Sequence, residues 1–477
     1  MAFSLTKFKR TLVLALLARQ TPAKLAAVSR KRLQKAFARA ARISPAYRAL
    51  LAEAGVAPGT KLAADEILQR APVLEKADLF ERFPIHELVA STVAPASLAG
   101  VLTSSGHGGS NFAFGLSTRA QLAFTPADID MGLQGAFDID GRSTLLVNCL
   151  PMGVVFTSNT VCVANVSVRE DMALAILRQA GPLFEQVILC VDPLFCKRLL
   201  DYAAEQAFDW SALRTHVILG EEMFSEEFRS YLARRLGADI DTPGGVLIGS
   251  SMGVGELGLN LFFETAETIA LRRERHWQQP DALLPAFFCY NPLRTFVEVL
   301  EPDDDGVGDL VVTMLDNLAP VPMIRYKTGD RARWVPDAEL RSLPSELYLA
   351  LYRQPLPMVA IVGRDRDRIG EHWHVDHFKA LLYRDAALAD HLSGAFRVLP
   401  GADGPALHIQ LGRNCVQAPA EMAVELSALM AASARERGAP APALRCFAYA
   451  DFPHGMSLDY ERKFRYLPAA DEVSAHV

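Results

Sequence analysis

Two glycine-rich stretches contain the residue types that could hold a nucleotide. The first, LTSSGHGGSNF at 102–112, is a run of small residues that includes Ser104, Ser105, Gly106, Gly108 and Gly109. Backbone N–H groups of such residues can approach phosphate oxygens without obstruction by a side chain. The stretch lacks the lysine of a GxxxxGK[ST] motif, so it is not a Walker P-loop. A phosphate-binding loop and an ordinary surface loop both fit these residues.

The second stretch, SSMGVGELGLN at 250–260, has the G-x-G-x-x-G spacing at Gly253, Gly255 and Gly258. A dinucleotide-binding turn has this spacing between a strand and a helix. GGVLIGSSM could supply the strand and LNLFFETAETIA the helix. However, the motif follows at least three strand candidates, and no clean 3.6-residue period follows it. A dinucleotide oxidoreductase is therefore the weakest hypothesis for this chain.

The elements that would position these stretches alternate between buried strands and helices. The strand candidates are STLLVNCL (143–150), QVILCV (186–191) and THVILG (215–220), and the helix candidates are REDMALAILRQAG (169–181) and SEEFRSYLARRLG (225–237). This order predicts α/β layers around a largely parallel sheet. EPDDDGVGDLVVTMLD at 301–316 instead predicts a β-rich subdomain beside the layers.

The two ends of the chain differ from this middle part. Residues 24–56 have helical spacing, interrupted at Ser44–Pro45 and ended by Gly55. Upstream, residues 7–23 have a basic start and a short apolar run, which suits an amphipathic first helix better than a signal peptide. From about residue 364, a strand candidate at 406–412 and a helix candidate at 419–438 predict a small α+β domain.

Composition limits the classes of partner and the compartment. Half of the 477 residues are hydrophobic and 22% are charged, which allows roughly two to four domains with buried cores. The net charge of −6 gives no electrostatic reason to expect nucleic acid or an anionic membrane. No apolar stretch approaches the ~20 residues that span a bilayer. Seven cysteines without a CxxC pair predict reduced thiols in a soluble cytoplasmic protein.

Several stretches in a fixed order resemble motifs of the adenylate-forming superfamily, and most of all its phenylacetate–coenzyme A ligase branch. TSSGHGGS stands where that family has its phosphate loop, and MGVGELG (252–258) is similar to YGxTExG. The remaining matches are LGEEMFSEEFRSYLARRLG (219–237) to the GGE segment, IRYKTGDRARW (324–334) to RYRTGD, VGRDRDRI (362–369) to the GRxDD hinge and DYERKFRYL (459–467) to the C-terminal lysine motif. The resemblance covers nearly the whole chain.

The resemblance implies a role for each matched residue. Glu256 would bind Mg²⁺, Asp330 would accept hydrogen bonds from the ribose hydroxyls of ATP, and Arg364 would contact phosphate or ribose. Lys463 would enter the site and stabilise the charge that develops during adenylation. Gly220, Glu221 and Gly253 would lie along the nucleotide.

The resemblance also implies a large AMP-binding domain over 1–362 and a small mobile domain over 363–477. The second domain would rotate so that coenzyme A could attack the acyl-adenylate. The implied substrate is an aryl or medium-sized apolar carboxylic acid, and the enzyme could form a homodimer.

Departures from the family pattern keep two alternatives open. The phosphate loop lacks the family's second threonine and its lysine, Met252 replaces the usual adenine-stacking aromatic residue, and Gly255 replaces the threonine before the glutamate. One alternative is an adenylating enzyme with another acceptor, such as an amine, a protein thiol or a deazaflavin coenzyme. The other is a nucleotide-binding pseudoenzyme.

Overall fold

The computed structural model describes residues 5–57, 59–103, 112–151, 153–401, 404–455, 460 and 463–468. The glycine-rich loop predicted to bind phosphate, with Ser104, Ser105, Gly106, Gly108 and Gly109, lies outside these ranges.

Sixteen α-helices occur in the described ranges: α1 (Leu5–Ala18), α2 (Pro22–Ile43), α3 (Pro45–Glu53), α4 (Ala64–Arg70), α5 (Ile85–Leu88), α6 (Arg119–Leu122), α7 (Thr125–Phe137), α8 (Glu170–Gln179), α9 (Pro193–Glu205), α10 (Glu226–Leu236), α11 (Ala266–Gln278), α12 (Asp337–Arg341), α13 (Ser345–Arg353), α14 (Val375–Arg384), α15 (Ala386–Asp390) and α16 (Pro419–Glu436). The predicted breaks between helices are confirmed. Ser44 caps α3 through its hydroxyl, and Gly237 ends α10 in the left-handed conformation that glycine favours.

Eighteen strands are present in the same ranges: β1 (Leu98–Thr103), β2 (Phe114–Thr118), β3 (Thr144–Asn148), β4 (Cys162–Asn165), β5 (Gln186–Val191), β6 (Thr215–Leu219), β7 (Ile248–Val254), β8 (Gly258–Phe263), β9 (Ala286–Tyr290), β10 (Thr295–Leu300), β11 (Gly308–Met314), β12 (Tyr326–Trp334), β13 (Met358–Gly363), β14 (Arg368–Ile369), β15 (Trp373–His374), β16 (Leu392–Leu399), β17 (Ala406–Leu411) and β18 (Ala443–Phe447). The three predicted parallel strands are β3, β5 and β6.

One sheet of eleven strands organises the chain as far as Gly363. Its order is β10-β11-β12-β13-β9-β8-β7-β6-β5-β3-β4. The strands from β4 to β7 are parallel, and those from β7 to β10 are antiparallel. The α/β class is therefore confirmed. Strands β10 to β13 form the predicted β-rich part beside the parallel strands, as an antiparallel continuation of the same sheet.

Largely apolar runs explain why β3 and β5 are buried within the parallel half of the sheet. Every residue of β3 and of β5 is buried, as expected for strands that helices cover on both faces. Strands after Gly363 pair only with one another among the described residues, β14 with β15 and β16 to β18 in a three-stranded sheet. A single hydrophobic cluster nevertheless joins the parallel strands to this later part.

Aromatic rings and ion pairs form the contact between α10 and the residues after Gly363. The Tyr383 ring on α14 lies 4.6 Å from that of Phe228 and 5.2 Å from that of Tyr231, both on α10. At the edge of these rings, Arg235 is 3.1 Å from Asp390. This contact holds the C-terminal residues against the parallel half of the sheet.

The first helix lies on the outside of α7. Arg10 donates hydrogen bonds to both carboxylate oxygens of Asp140 and is 3.3 Å from Asp130 on α7.

Across the described part of the chain, no helix combines the length and the apolar character that crossing a membrane requires.

Candidate active site

Asp330 and Arg364 form the centre of the candidate site. They come from neighbouring antiparallel strands, because Arg331 of β12 pairs with Gly363 of β13. Arg364 Nε donates to Asp330 Oδ1 at 2.6 Å. Burial opposes the charge of the Arg364 guanidinium, but the Asp330 carboxylate outweighs it and raises the pKa of Arg364. Arg364 therefore keeps its positive charge at neutral pH.

The second oxygen of Asp330 is free to accept a ligand's hydrogen bonds. Asp330 is only 5% exposed, and its Oδ2 has no hydrogen-bond partner among the described residues. A buried acceptor without a donor costs about 1–3 kcal/mol. A hydroxyl pair such as that of a ribose would satisfy this oxygen, since a carboxylate accepts several hydrogen bonds.

Lys463 reaches the same place from the C-terminal segment. Its Nζ donates to the carbonyl oxygen of Glu221, the second residue after β6. Burial lowers the pKa of Lys463, and the charge of Arg364 lowers it further, while Glu221 and Asp330 act in the opposite direction. The structure thus brings together four of the predicted site residues, which are Lys463, Arg364, Asp330 and Glu221.

Gly220 and Glu221 form the turn that accepts the hydrogen bond from Lys463. The Gly220 N–H donates to the carbonyl of Val191 at 3.0 Å, so the turn follows the carboxyl end of β5 closely. Glu221 has a positive φ of 70°, an uncommon conformation for a residue with a side chain. Burial raises the pKa of Glu221, against the opposing charge of Lys463. Ligand sites of open α/β sheets lie at this end of the parallel strands.

Gly253 and Glu256 lie in a hairpin, which excludes the dinucleotide hypothesis. β7 and β8 are antiparallel neighbours, so the glycine spacing stands between two strands and not between a strand and a helix. A Cβ on Gly253 would come within 2.9 Å of the Gly258 carbonyl oxygen. Glycine at 253 therefore allows the close approach of the two hairpin strands.

Glu256 stands in the tip of this hairpin, and Tyr326 positions it. The Tyr326 hydroxyl donates to Glu256 Oε1. Tyr326 begins β12, the strand that also carries Asp330. Glu256 is therefore linked through Tyr326 to the strand that carries Asp330. The sequence motif contained Tyr326, but its link to Glu256 was not predicted.

The residues fit a magnesium ion that is coordinated mainly by the phosphate oxygens of a bound molecule and by water. In the described ranges there is no group of three or more metal-binding side chains of the His, Cys, Asp and Glu types. Mg²⁺ is commonly bound by one or two carboxylates together with phosphate oxygens and water. Glu256, with one oxygen bonded to Tyr326, fits the part of a single protein carboxylate.

Glu222 is the centre of a side-chain group that fixes the C-terminal segment beside the site and that no sequence pattern indicated. Glu222 Oε2 accepts from Lys379 Nζ at 2.6 Å, and its Oε1 accepts from the Tyr466 hydroxyl at 3.0 Å. Tyr466 follows Lys463 by three residues, so this group anchors the segment that carries the lysine. Tyr466 lies within one of the matched motifs. Lys379 on α14, however, could not be distinguished in the sequence from an ordinary lysine of a helix.

A second missed residue is Asp192, the N-cap of α9 at the end of β5. Its Oδ1 accepts from the Phe195 N–H at 3.0 Å, and its Oδ2 is buried without a partner among the described residues. Burial raises the pKa of Asp192 to about 7, against the stabilising Phe195 N–H and with the help of the Glu222 and Glu221 charges. Near neutral pH this carboxyl is therefore partly protonated.

Asp192→Asn is expected to stabilise the protein at pH 8 more than at pH 5. The native carboxyl binds its proton more tightly than the unfolded one does. Wild-type stability is therefore lost as pH rises from about 4 to about 7, by about 4 kcal/mol at most. Asparagine keeps the cap acceptor but has no charge to bury. Urea denaturation at both pH values measures the difference.

The matched control for this prediction is Asp209→Asn. Asp209 caps a short turn in the same way, but it is exposed and hydrogen bonds from Ser211 lower its pKa. Removing this charge should have a small effect of the opposite sign, most visible at pH 8. Equal pH dependence in Asp192→Asn and wild type would contradict the prediction.

Comparisons with known proteins place the fold. No sequence family matches the chain, and no curated protein is similar to it in sequence. A solved 2-hydroxyisobutyryl-CoA ligase in the postadenylation state with R3-HIB-AMP is similar over 94% of this chain and 90% of that chain, with a TM-score of 0.67 and 16% identity. An acyl acid amido synthetase in complex with 2,4-DB is similar over 100% of this chain and 97% of that chain, with a TM-score of 0.55 and 12% identity.

The same ligase was also solved with 2-HIB-AMP and CoA in the thioesterification state. That structure is similar over 94% of this chain and 90% of that chain, with a TM-score of 0.55 and 15% identity. The TM-score is thus lower for this structure than for the one in the postadenylation state. The chain has the fold of the adenylate-forming ligases.

Proposed function

We propose that the chain activates a carboxylic acid with ATP and passes the acyl group to the thiol of coenzyme A. The observation that carries the proposal is the buried Asp330 oxygen, which has no donor within the described ranges and lies beside Arg364 and Lys463. In the first step a carboxylate oxygen of the acid bonds to the α-phosphorus, and the bond to pyrophosphate breaks. In the second step the thiol sulfur bonds to the acyl carbon, and AMP leaves.

Each of these charged side chains has its own role in the proposed reaction. Asp330 holds the ribose hydroxyls, and Arg364, fixed by Asp330, faces the phosphate or ribose. Lys463 supplies a half-buried positive charge where negative charge develops around the phosphorus, and fixed charges in a water-poor site are strongly stabilising there. Glu256 would hold Mg²⁺, which neutralises charge on the phosphates when bound.

Several features support the finer parts of this proposal. The separate pairing of strands after Gly363 favours a small domain over 363–477 that moves relative to 1–362. All seven cysteines are free thiols, which favours the cytoplasm. The acid would be an aryl or medium-sized apolar one, with its pocket lined from residues between about 130 and 255.

An amine acceptor is the second candidate. The whole of this chain is similar in fold to an acyl acid amido synthetase, so the same adenylation step could serve a different second step. The two candidates share every residue role in the first step and differ only in the acceptor.

Release of pyrophosphate from ATP and Mg²⁺ across a panel of carboxylic acids tests the proposal. Acid-dependent release that rises with coenzyme A supports the thiol ligase. Release that rises with amines and not with coenzyme A supports the second candidate. Measurable ATP binding without release for any acid would overturn both and favour a nucleotide-binding pseudoenzyme.

A further inference from the structure

Positive charge is concentrated at the start of the chain. The first 52 residues contain twelve Lys and Arg and no Asp or Glu, the first acid being Glu53. The rest of the chain contains 37 basic and 55 acidic residues. The overall charge of −6 gave no reason to expect an anionic partner. It is, however, the sum of a strongly basic segment and a strongly acidic remainder.

The first helix exposes an apolar stripe. Phe8, Leu12 and Leu16 on α1 are spaced four residues apart and are 53%, 48% and 49% exposed, so they share one face of the helix. Val13 beside them is 48% exposed. On the opposite side, Arg10 is buried against Asp130 and Asp140. This ion-paired side fixes α1 to the protein with its apolar stripe in solvent.

The second helix exposes a stripe of lysines. Lys24, Lys31 and Lys35 on α2 are exposed, and at 3.6 residues per turn they fall on one face. Val28 lies among them and is 42% exposed. The buried face of α2, which includes Leu33 and Phe37, is on the other side. The lysine stripe is therefore held outward by the packing of the helix.

We propose that α1 and α2 form a surface that binds an anionic lipid membrane. A helix with an apolar face, flanked by basic residues, lies in the lipid interface with its apolar side chains among the acyl chains. Basic residues nearby are attracted by the negative surface of the bilayer. The two stripes supply these two contributions from consecutive helices of the chain.

The same observations disfavour two other occupants. A second copy of the chain, joined by a two-fold axis through this surface, would bring like-charged segments together. A nucleic acid would pair with the lysines but would leave the apolar stripe of α1 unused, because most of its contacts are to phosphate and sugar. The proposal does not rest on the proposed enzymatic function, since binding to vesicles needs no substrate.

Sedimentation of the full chain with vesicles tests the proposal. We expect binding to phosphatidylcholine vesicles with 30% phosphatidylserine, weak binding to pure phosphatidylcholine, and release by high salt. Replacing the three lysines as K24Q/K31Q/K35Q should weaken binding about 100-fold, since each contributes about a fivefold factor. Replacing the apolar stripe as L12S/L16S should weaken binding at least tenfold.

The matched control removes equal charge elsewhere on the surface. Arg341, Arg353 and Arg435 are exposed residues outside the basic segment, so R341Q/R353Q/R435Q should bind vesicles as wild type does. Circular dichroism of each variant confirms that the fold is kept.

Three outcomes would overturn the proposal. One is equal binding of the wild type to neutral and anionic vesicles, or binding to neither. Another is a dimer that L12S/L16S dissociates, without vesicle binding, which would assign the surface to a second copy. The third is binding of duplex DNA that the lysine variant loses and L12S/L16S retains, without vesicle binding.

Discussion

Lys463→Met is expected to slow adenylation by about 100- to 1000-fold and to change ATP binding only a few-fold. The Lys463 ammonium lies beside Arg364 and Asp330 and is held by the Glu221 carbonyl. Removing one preorganised group that stabilises charge in the transition state has an effect of this order on kcat. Acid-dependent exchange of labelled pyrophosphate into ATP measures the step directly.

A matched variant and a second substrate locate the effect. Lys327→Met removes a lysine that pairs with Glu75 and Asp309 outside the site, and it should leave the exchange rate near that of wild type. A synthetic acyl-adenylate supplied with coenzyme A bypasses the first step, so Lys463→Met should still form the thioester. Exchange at the wild-type rate in Lys463→Met would remove this residue from the mechanism.

The same lysine predicts how adenylation depends on pH. Burial and the charge of Arg364 lower the pKa of Lys463, so the active ammonium form is lost on the alkaline side before an ordinary lysine would be. The exchange rate should therefore fall as pH rises through this lowered pKa. Lys463→Arg keeps its charge at all accessible pH values, and its residual activity should lack this alkaline fall.

Asp330→Asn is expected to raise the KM for ATP about 100-fold. Hydrogen bonds to a charged acceptor contribute about 1.5–3 kcal/mol each, and the carboxylate can accept from two ribose hydroxyls. The variant also removes the negative charge that is paired with Arg364. Steady-state kinetics with ATP and with 2′-deoxy-ATP measure both the loss and its origin.

The deoxynucleotide separates a ribose contact from general damage to the site. Wild type should prefer ATP strongly over 2′-deoxy-ATP, and Asp330→Asn should lose most of this preference. Asp309→Asn is the matched control, because Asp309 also accepts from Lys327 and Arg331 on the same sheet. It should keep the preference. A preference retained in Asp330→Asn would contradict the ribose assignment.

The parallel half of the fold was predictable from local sequence, and the antiparallel half was not. β3, β5 and β6 are short, largely apolar runs separated by helical sequence, and these signals depend only on neighbouring residues. The order of β9 to β13 depends on pairing between distant strands. For example, β13 lies beside β9 although about seventy residues separate them. A β-rich stretch therefore indicated strands but not the sheet to which they belong.

Some residues of the candidate site were likewise predictable from the sequence, and others were not. The resemblance named Asp330, Arg364 and Lys463 through short motifs, and the structure places these three side chains together. By contrast, the contact of Glu222 with Lys379 joins residues 157 positions apart, and neither residue stands in a pattern that demands the other. The pKa of Asp192 was equally hidden, because an N-cap aspartate is usual and only burial makes it unusual.

The aromatic contact between α10 and α14 links the proposed domain rotation to temperature. Parting the rings of Phe228, Tyr231 and Tyr383 would expose apolar surface to water. Such exposure increases heat capacity, so the free energy of parting the rings has a curved temperature dependence. A step that needs the rotation, such as acyl transfer, would have the same curved temperature dependence, whereas a step that keeps these rings in contact would not. A change in temperature would thus shift the balance between acyl-adenylate that stays in the site and acyl-adenylate that reacts with the acceptor.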